Sequence, residues 1–109
     1  LYSEREQTYG IHGGDQETSL MLHFRPDLVD MAAARDFRSA AEGAAIAPVG
    51  QIAHGWIASD LNPAGVVGEA HLATAAKGAA TAAHHVAGLI ALARAVRGHP
   101  MTGFAPVPG

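Results

Sequence analysis

The 109-residue sequence contains no cysteine, few aromatic residues and no concentration of basic residues. Without cysteine, neither a disulfide framework nor a zinc site with thiolate ligands can form, and a reducing, cytoplasmic compartment is the expected localisation. The seven lysines and arginines are scattered and the net charge is −3. The chain therefore lacks the basic patch with which proteins neutralise nucleic-acid phosphates, and we predict no nucleic-acid partner.

Large apolar side chains are also scarce, because much of the hydrophobic fraction is alanine, which buries little area per residue. No apolar run approaches the roughly 18 residues of a membrane span, and no signal peptide opens the chain, so no membrane association is expected. The length fits at most one domain. We predict that residues 1–109 form a single partial domain that packs against something else. The charged start at Leu1 is expected to continue a longer polypeptide.

Local patterns predict short elements in the first half of the chain. Residues 8–11 alternate like the end of a strand that leads into a glycine turn. Asp15 is the predicted N-cap of a helix whose buried part is residues 20–24 and which Pro26 ends. Farther along, residues 32–43 could be helical, and residues 51–59 are predicted to include a strand or an extended segment.

The longest predicted element is a helix from Glu69 to Gly98, in which apolar residues recur every three or four positions. This spacing predicts one buried face. Gly78 and Gly88 interrupt the helix, each at roughly 1 kcal/mol relative to alanine, and small residues in a buried helix indicate that another helix passes close by. A proline- and glycine-rich tail is predicted for residues 101–109.

One stretch, residues 11–22, brings a histidine, flexible backbone and a helix start together. His12 on the Gly13–Gly14 turn could project into a cleft as a substrate contact, acid or base, or it could be an ordinary loop histidine. The glycines favour the first interpretation, because backbone without Cβ can approach a ligand closely. Glu17 could orient His12 or a metal ligand, although a first-turn residue stabilised by the helix macrodipole explains it as well.

The other histidines show no metal-ligand spacing. His84 and His85 are adjacent in the predicted helix and point about 100° apart, whereas a helical zinc pair needs i, i+4 spacing. In an extended segment His54 and Trp56 would share a face and could line a pocket, or Trp56 could fill the core. A metal-binding module would require distant histidines to converge, namely His54, His71, His84, His85 and His99.

Two stretches resemble a known family. Residues 12–30, HGGDQETSLMLHFRPDLVD, are similar to the motif His-Ala/Gly-Gly-x-x-Glu-Thr-Ser-Leu-Met-Leu, followed by Arg/Tyr-Pro-Asp/Glu-Leu-Val, of the creatininase (creatinine amidohydrolase) family. Residues 62–68 and 72–78, NPAGVVG and LATAAKG, resemble the pattern that opens the last helix of that family. The resemblance covers nearly the whole chain up to Pro100.

The resemblance implies an α/β fold, with this chain as the C-terminal portion of a three-layer α/β/α sandwich that is itself mostly helical with one or two short strands. It implies hydrolysis of a cyclic amide or a related C–N bond in a small molecule, and often a hexamer. The two divalent metals of the family, zinc or manganese, are held by motifs that lie upstream of this part. None of those motifs occurs here, so no metal ligand is carried over and the N-terminal part would be a required partner.

The resemblance also assigns roles to residues of the opening stretch. His12 matches the family histidine that faces the substrate, and we predict it to be catalytic and substrate-binding. Gly13 and Gly14 match the turn that shapes the substrate pocket, and Glu17 matches the motif glutamate, acting behind His12. Trp56 is a further predicted substrate contact.

Ile11 departs from the family pattern, because creatininase itself has a glutamate immediately before this histidine. This difference argues against creatinine as the substrate. The alternative to a hydrolase is a non-catalytic structural or assembly fragment that is inactive without the N-terminal part.

Overall fold

The computed structural model describes residues 1–103 and residue 109, so most of the predicted tail lies outside the described residues. Helices take up about half of the chain, and the α-helices are α1 (Glu4–Tyr9), α2 (Asp15–Phe24), α3 (Ala58–Leu61) and α4 (Ala75–Gly98). Short 3-10 helices lie at Pro26–Leu28, Ala70–Leu72 and Met101–Gly103. Within the described ranges, β-pairing is limited to two isolated antiparallel bridges, His12 with Val67 and Phe37 with Gly68. The mostly helical character is confirmed, whereas the layers of an α/β sandwich are not.

Helix α1 occupies part of the segment that was predicted to be the end of a strand. The Oγ of Ser3 accepts the N–H of Glu6 at 2.9 Å and caps the helix. The Oγ1 of Thr8 donates to the carbonyl of Glu4 at 2.9 Å. This local hydrogen bonding overrides the β preference of Thr8 and Tyr9, which depends on a partner strand that is not there.

Helix α2 begins one position earlier than predicted, since Gly14 rather than Asp15 is the N-cap and Asp15 is the first helical residue. It ends before Pro26, as predicted. The prediction that its apolar residues are the buried part is wrong. Asp15 and Ser19 are 1% and 0% exposed, whereas Phe24 is 60% exposed. The reason is that residues i and i+4 share a helix face, and the face with these two polar residues is the one that packs against α4.

Helix α4 starts at Ala75 rather than Glu69, because Thr74 caps it by accepting the N–H of Lys77 at 3.2 Å. The predicted close approach of another helix is confirmed at Gly78. A Cβ there would lie 1.9 Å from the carbonyl oxygen of Ser19 in α2. At Gly88 it is wrong, since a Cβ there would meet no atom of the described residues within 4 Å outside the backbone of α4 itself.

The predicted buried face is confined to the first turns of α4, whose buried residues are Gly78 and Thr81. Its second half exposes large apolar side chains: Val86, Leu89, Ile90, Leu92 and Val96. By length and composition alone α4 could cross a membrane. An 18-residue stretch of this helix has a mean hydropathy of 1.3, and 6% of that stretch is buried in the structure. The expectation that no apolar run approaches the length of a membrane span is therefore wrong when length and mean hydropathy are the criteria. One helix of this kind does not establish a membrane span, because the core helix of a soluble protein can have the same length and mean hydropathy.

The segment between the 3-10 helix at Pro26–Leu28 and helix α3 is irregular. Residues 32–43 form turns instead of a helix, and residues 51–57 form no strand before α3 begins at Ala58. The N–H of Ile57 donates to Oδ2 of Asp60 at 3.0 Å and starts this short helix. A turn follows α3, in which the N–H of Gly65 donates to the carbonyl of Asn62 at 2.9 Å.

The apolar core is small. Ala41, Leu61 and Val67 form its buried cluster, and Ile11 and Trp56 pack against them from partly buried positions. The radius of gyration is 18.3 Å, compared with about 13 Å for a compact domain of this length. The extended shape agrees with the expectation that the chain has too few large apolar side chains to enclose a core by itself.

Candidate functional site

His12 lies on the turn that connects α1 to α2. Gly13 has a positive φ of 71°, and a Cβ at this position would lie 2.9 Å from Cγ1 of Val66. Both the backbone conformation and the available space therefore favour glycine. The carbonyl of His12 accepts the N–H of Val67 at 2.7 Å, while its side chain is 53% exposed. The turn thus presents an accessible imidazole from an anchored backbone position.

Glu17, in the first turn of α2, reaches back to this turn. Its Oε2 accepts the N–H of Gly13 at 2.5 Å and lies 4.0 Å from Nδ1 of His12. This second distance is longer than a hydrogen bond, so the contact is electrostatic and forms an ion pair only while the imidazole carries a proton. The structure brings together the two predicted site residues that could move or stabilise a proton.

A cleft of about 380 Å³ opens beside the turn, within the usual size range of ligand pockets, roughly 300–1,000 Å³. Gly13, Glu17 and Thr18 contribute to it from the His12 side, and Asp30 adds a carboxylate. The remaining lining is apolar: Met21, Leu28, Val29, Ala33, Ala34, Phe37, Val66 and Ala70. Mostly apolar walls with a few polar groups are typical of small-molecule sites.

His12 is adjacent to Gly13 but is not itself one of the lining residues of this cleft, and two further predicted site residues lie away from it. Gly14 is buried under the turn. Trp56 packs against the core cluster, and its Nε1 donates to the carbonyl of Pro48 at 2.7 Å. The indole therefore has a hydrogen-bond partner and apolar contacts within the fold, as a core tryptophan requires. Its role as a substrate contact stays a prediction.

Glu6 is a buried carboxylate beneath the His12 turn that sequence reasoning did not identify. It is 3% exposed. Its Oε1 accepts the N–H of Gln16 at 3.2 Å, and its Oε2 accepts the N–H of Glu69 at 2.7 Å. In the sequence it is one of several charged residues in a polar opening segment. The sequence feature that could have indicated a buried side chain here is the set of glycines at positions 10, 14 and 68, which leave space for the Glu6 carboxylate.

A second buried carboxylate, Asp15, connects the two stretches that resemble the family. Lys77 donates to its Oδ2 at 2.5 Å, and Ser19 donates to its Oδ1 at 2.9 Å. The Oγ of Ser19 also accepts the N–H of Thr74 at 3.1 Å, and Lys77 donates to the carbonyl of Leu72 at 2.9 Å. These bonds fix the first turn of α2 against the start of α4.

Glu69 forms the centre of a polar network on the other side of Glu6. Its carboxylate accepts hydrogen bonds from Ser3 and, at 2.7 Å, from Nη2 of Arg5. Arg5 also donates to Asp36 at 2.8 Å. The hydrogen bond from Ser3 and then the one from Arg5 hold the pKa of Glu69 below its ordinary value of 4.5. The hydrogen bonds to Asp36 and Glu69 raise the pKa of Arg5, so this guanidinium stays charged.

The lowered pKa of Glu69 predicts acid sensitivity. Folded Glu69 binds fewer protons than unfolded Glu69 between its folded pKa and 4.5, so its contribution to the free energy of unfolding is complete above 4.5 and is lost as the pH falls through the folded pKa. At neutral pH we expect Glu69→Gln to destabilise the protein by about 1–3 kcal/mol. Urea titrations between pH 3 and 7 should show a shallower pH dependence in this variant.

The exposed Glu4→Gln serves as the control for Glu69→Gln, since it makes the same chemical change in α1 without removing the network. We expect its pH dependence to follow the parent protein. Parallel pH profiles for Glu69→Gln and the parent would contradict the proposed linkage.

The residues present do not form a metal centre by themselves. In the part of the chain that the structure describes, no group of three or more His, Asp or Glu side chains is placed to hold a metal ion. His12 and Glu17 together supply one imidazole and one carboxylate, and this carboxylate already accepts the N–H of Gly13. A zinc site needs at least three protein ligands. The rings of His84 and His85 lie with their centroids 6.1 Å apart and tilted by 54°.

Comparison with known protein families assigns the chain to an amidohydrolase class. The family model Creatininase, described as creatinine amidohydrolase, matches residues 1–93. Because this match covers most of the sequence, the chain belongs to the creatininase family, which confirms the resemblance found in the sequence. The family is generally metal-dependent. No curated protein and no solved structure matches the chain.

Proposed function

We propose that this chain forms the substrate-side wall of an active site that hydrolyses a cyclic amide or a related C–N bond. The observation that carries the proposal is the exposed His12–Glu17 pair, held on a glycine turn beside the cleft in a creatininase-family chain. Acid–base catalysis needs a titratable group on an anchored backbone that is open to the substrate. His12 meets both conditions.

In the proposed reaction, His12 binds the amide or transfers a proton. Water attacks the carbonyl carbon and loses a proton to neutral His12, and as the C–N bond breaks the protonated His12 returns that proton to the leaving nitrogen. Glu17 stabilises the charged imidazole from 4.0 Å and keeps the turn in place through the N–H of Gly13. The apolar walls of the cleft would exclude water from the non-reacting part of the substrate.

The metal belongs to the proposal only as a partner from outside this chain. The described residues do not hold one by themselves, so we derive no step through it. We propose that its ligands lie in an N-terminal part of the same polypeptide, and zinc and manganese are the candidates. We also propose that the protein forms a homo-oligomer and lies in the cytoplasm. Because Ile11 replaces the glutamate of creatininase, the proposed substrate is not creatinine.

The test is hydrolysis of a panel of cyclic amides by the full-length protein with added zinc or manganese. We expect His12→Ala to lower kcat/KM by about 100-fold or more, since positioned acid–base groups contribute roughly 10²–10⁴-fold. His85→Ala is the matched control, because it removes an exposed histidine from α4, and it should leave the rate unchanged.

An active His12→Ala variant would remove His12 from the mechanism. A full-length protein that hydrolyses none of the amides would instead favour the alternative function, a structural or assembly element. The observation behind that alternative is the exposed apolar second half of α4, which predicts self-association of the purified protein by light scattering.

A further inference from the structure

Glu6 occupies a space that only glycines leave open. A Cβ at Gly10 or at Gly14 would lie 2.3 Å from atoms of its carboxyl group, and a Cβ at Gly68 would lie 2.7 Å from its Oε2. These three glycines belong to three different segments around the His12 turn. The carboxylate therefore lies where the end of α1, the N-terminus of α2 and the 67–69 segment meet.

The two oxygens of Glu6 hold different parts of this junction. Oε1 accepts the N–H of Gln16 in the first turn of α2, where backbone donors lack helical partners. Oε2 accepts the N–H of Glu69, two positions after Val67, which pairs with His12. A buried charge that accepts two backbone N–H groups forms strong, directional bonds, and here they fix both sides of His12.

Resting on the proposed function, we infer that Glu6 is the positioning residue of His12. Its buried carboxylate sets the location of the catalytic turn relative to the cleft, without touching the substrate. The carboxylate, rather than an amide of the same size, is required because both of its oxygens accept from an N–H. In Glu6→Gln one of them becomes an NH2 group that faces a backbone donor, so one of the two bonds must break.

We expect Glu6→Gln in the full-length protein to lower kcat/KM by about 10–100-fold, the usual effect of removing a group that orients a reacting one. Glu4→Gln, the same change at an exposed position of α1, should have no effect. In a His12→Ala background, Glu6→Gln should change the rate by less than about threefold, because residues that act through one another are not additive. Glu6→Asp keeps the charge but has a shorter side chain, so we expect a loss of kcat/KM between those of Glu4→Gln and Glu6→Gln. This loss should likewise nearly disappear in the His12→Ala background.

If Glu6 served folding alone, Glu6→Gln would lower activity by the same factor in the parent protein and in the His12→Ala variant. That result would overturn the inference. A second readout does not depend on activity. The NMR signal of the His12 ring, assigned by its loss in His12→Ala, should shift or broaden in Glu6→Gln or Glu6→Asp and not in Glu4→Gln. If His12→Ala is fully active, the proposed role of His12 fails, yet the ring signal still decides whether Glu6 positions this side chain, and an unmoved signal in both Glu6 variants would reject the inference.

Discussion

Gly78→Ala is expected to destabilise the protein by about 3 kcal/mol or more, although alanine is the better helix former by roughly 1 kcal/mol. The added Cβ would lie 1.9 Å from the carbonyl oxygen of Ser19 and 2.5 Å from its carbonyl carbon. Both are backbone atoms of α2 and cannot rotate away. The two helices would have to separate, which would break the hydrogen bonds that the N–H of Thr74 donates to Ser19 and that Lys77 donates to Asp15.

Gly88→Ala is the matched control, since it makes the same substitution in the same helix where no atom lies within 4 Å. We expect it to stabilise α4 by up to about 1 kcal/mol. Urea denaturation followed by circular dichroism at 222 nm would compare the two variants with the parent. Equal effects at both positions would mean that the close contact between α2 and α4 does not form in solution.

The second large effect is expected at the pair of Lys77 and Asp15. Lys77→Met leaves the Asp15 carboxylate, which is 1% exposed, with Ser19 as its remaining side-chain donor in the described structure. Removing one partner of a buried ion pair leaves an uncompensated charge, and we expect a loss of about 3 kcal/mol in the free energy of unfolding. The partial exposure of Lys77, 23% of its side chain, keeps the estimate at the lower end of the range for such pairs.

Two comparisons check this explanation. In the double variant Asp15→Asn, Lys77→Met no unpaired charge remains at this position, so part of the stability should return and the two single effects should not add. The exposed pair of Arg25 and Asp27 has the same chemistry in a solvated position, and Arg25→Met should leave the denaturation midpoint unchanged. Additive effects of the single variants would show that the pair contributes nothing specific to the folded state.

Both effects bear on the candidate site, because the contact between α2 and α4 holds the helix turn from which Glu17 reaches His12. Asp15 and Ser19 fix the inner face of α2, and Glu17 lies on the outer, exposed side of the same turn. Activity assays on the Lys77→Met variant would therefore need to be read at a temperature where the protein remains folded.

The end of α2 and most of α4 were predictable from local sequence, whereas the side-chain caps that start α1 and α4 were missed. Pro26 ends α2 through a steric effect on the preceding residue, and the apolar repeat identified most of α4. The first glycine of α4 correctly indicated a neighbouring helix. The strand end at residues 8–11 was not predictable in this way, since β preference is realised only when a partner strand is available.

The sequence by itself determined the family, through contiguous motif residues around His12, and it located the glycine turn and the helix that follows. Only the tertiary structure decided which faces are buried. Asp15, Ser19 and Glu6 are enclosed because neighbouring segments supply Lys77, backbone N–H groups and glycines without Cβ atoms. Hydrophobic periodicity assigns burial to apolar residues, and it cannot identify polar residues whose partners lie about 60 positions away in the chain.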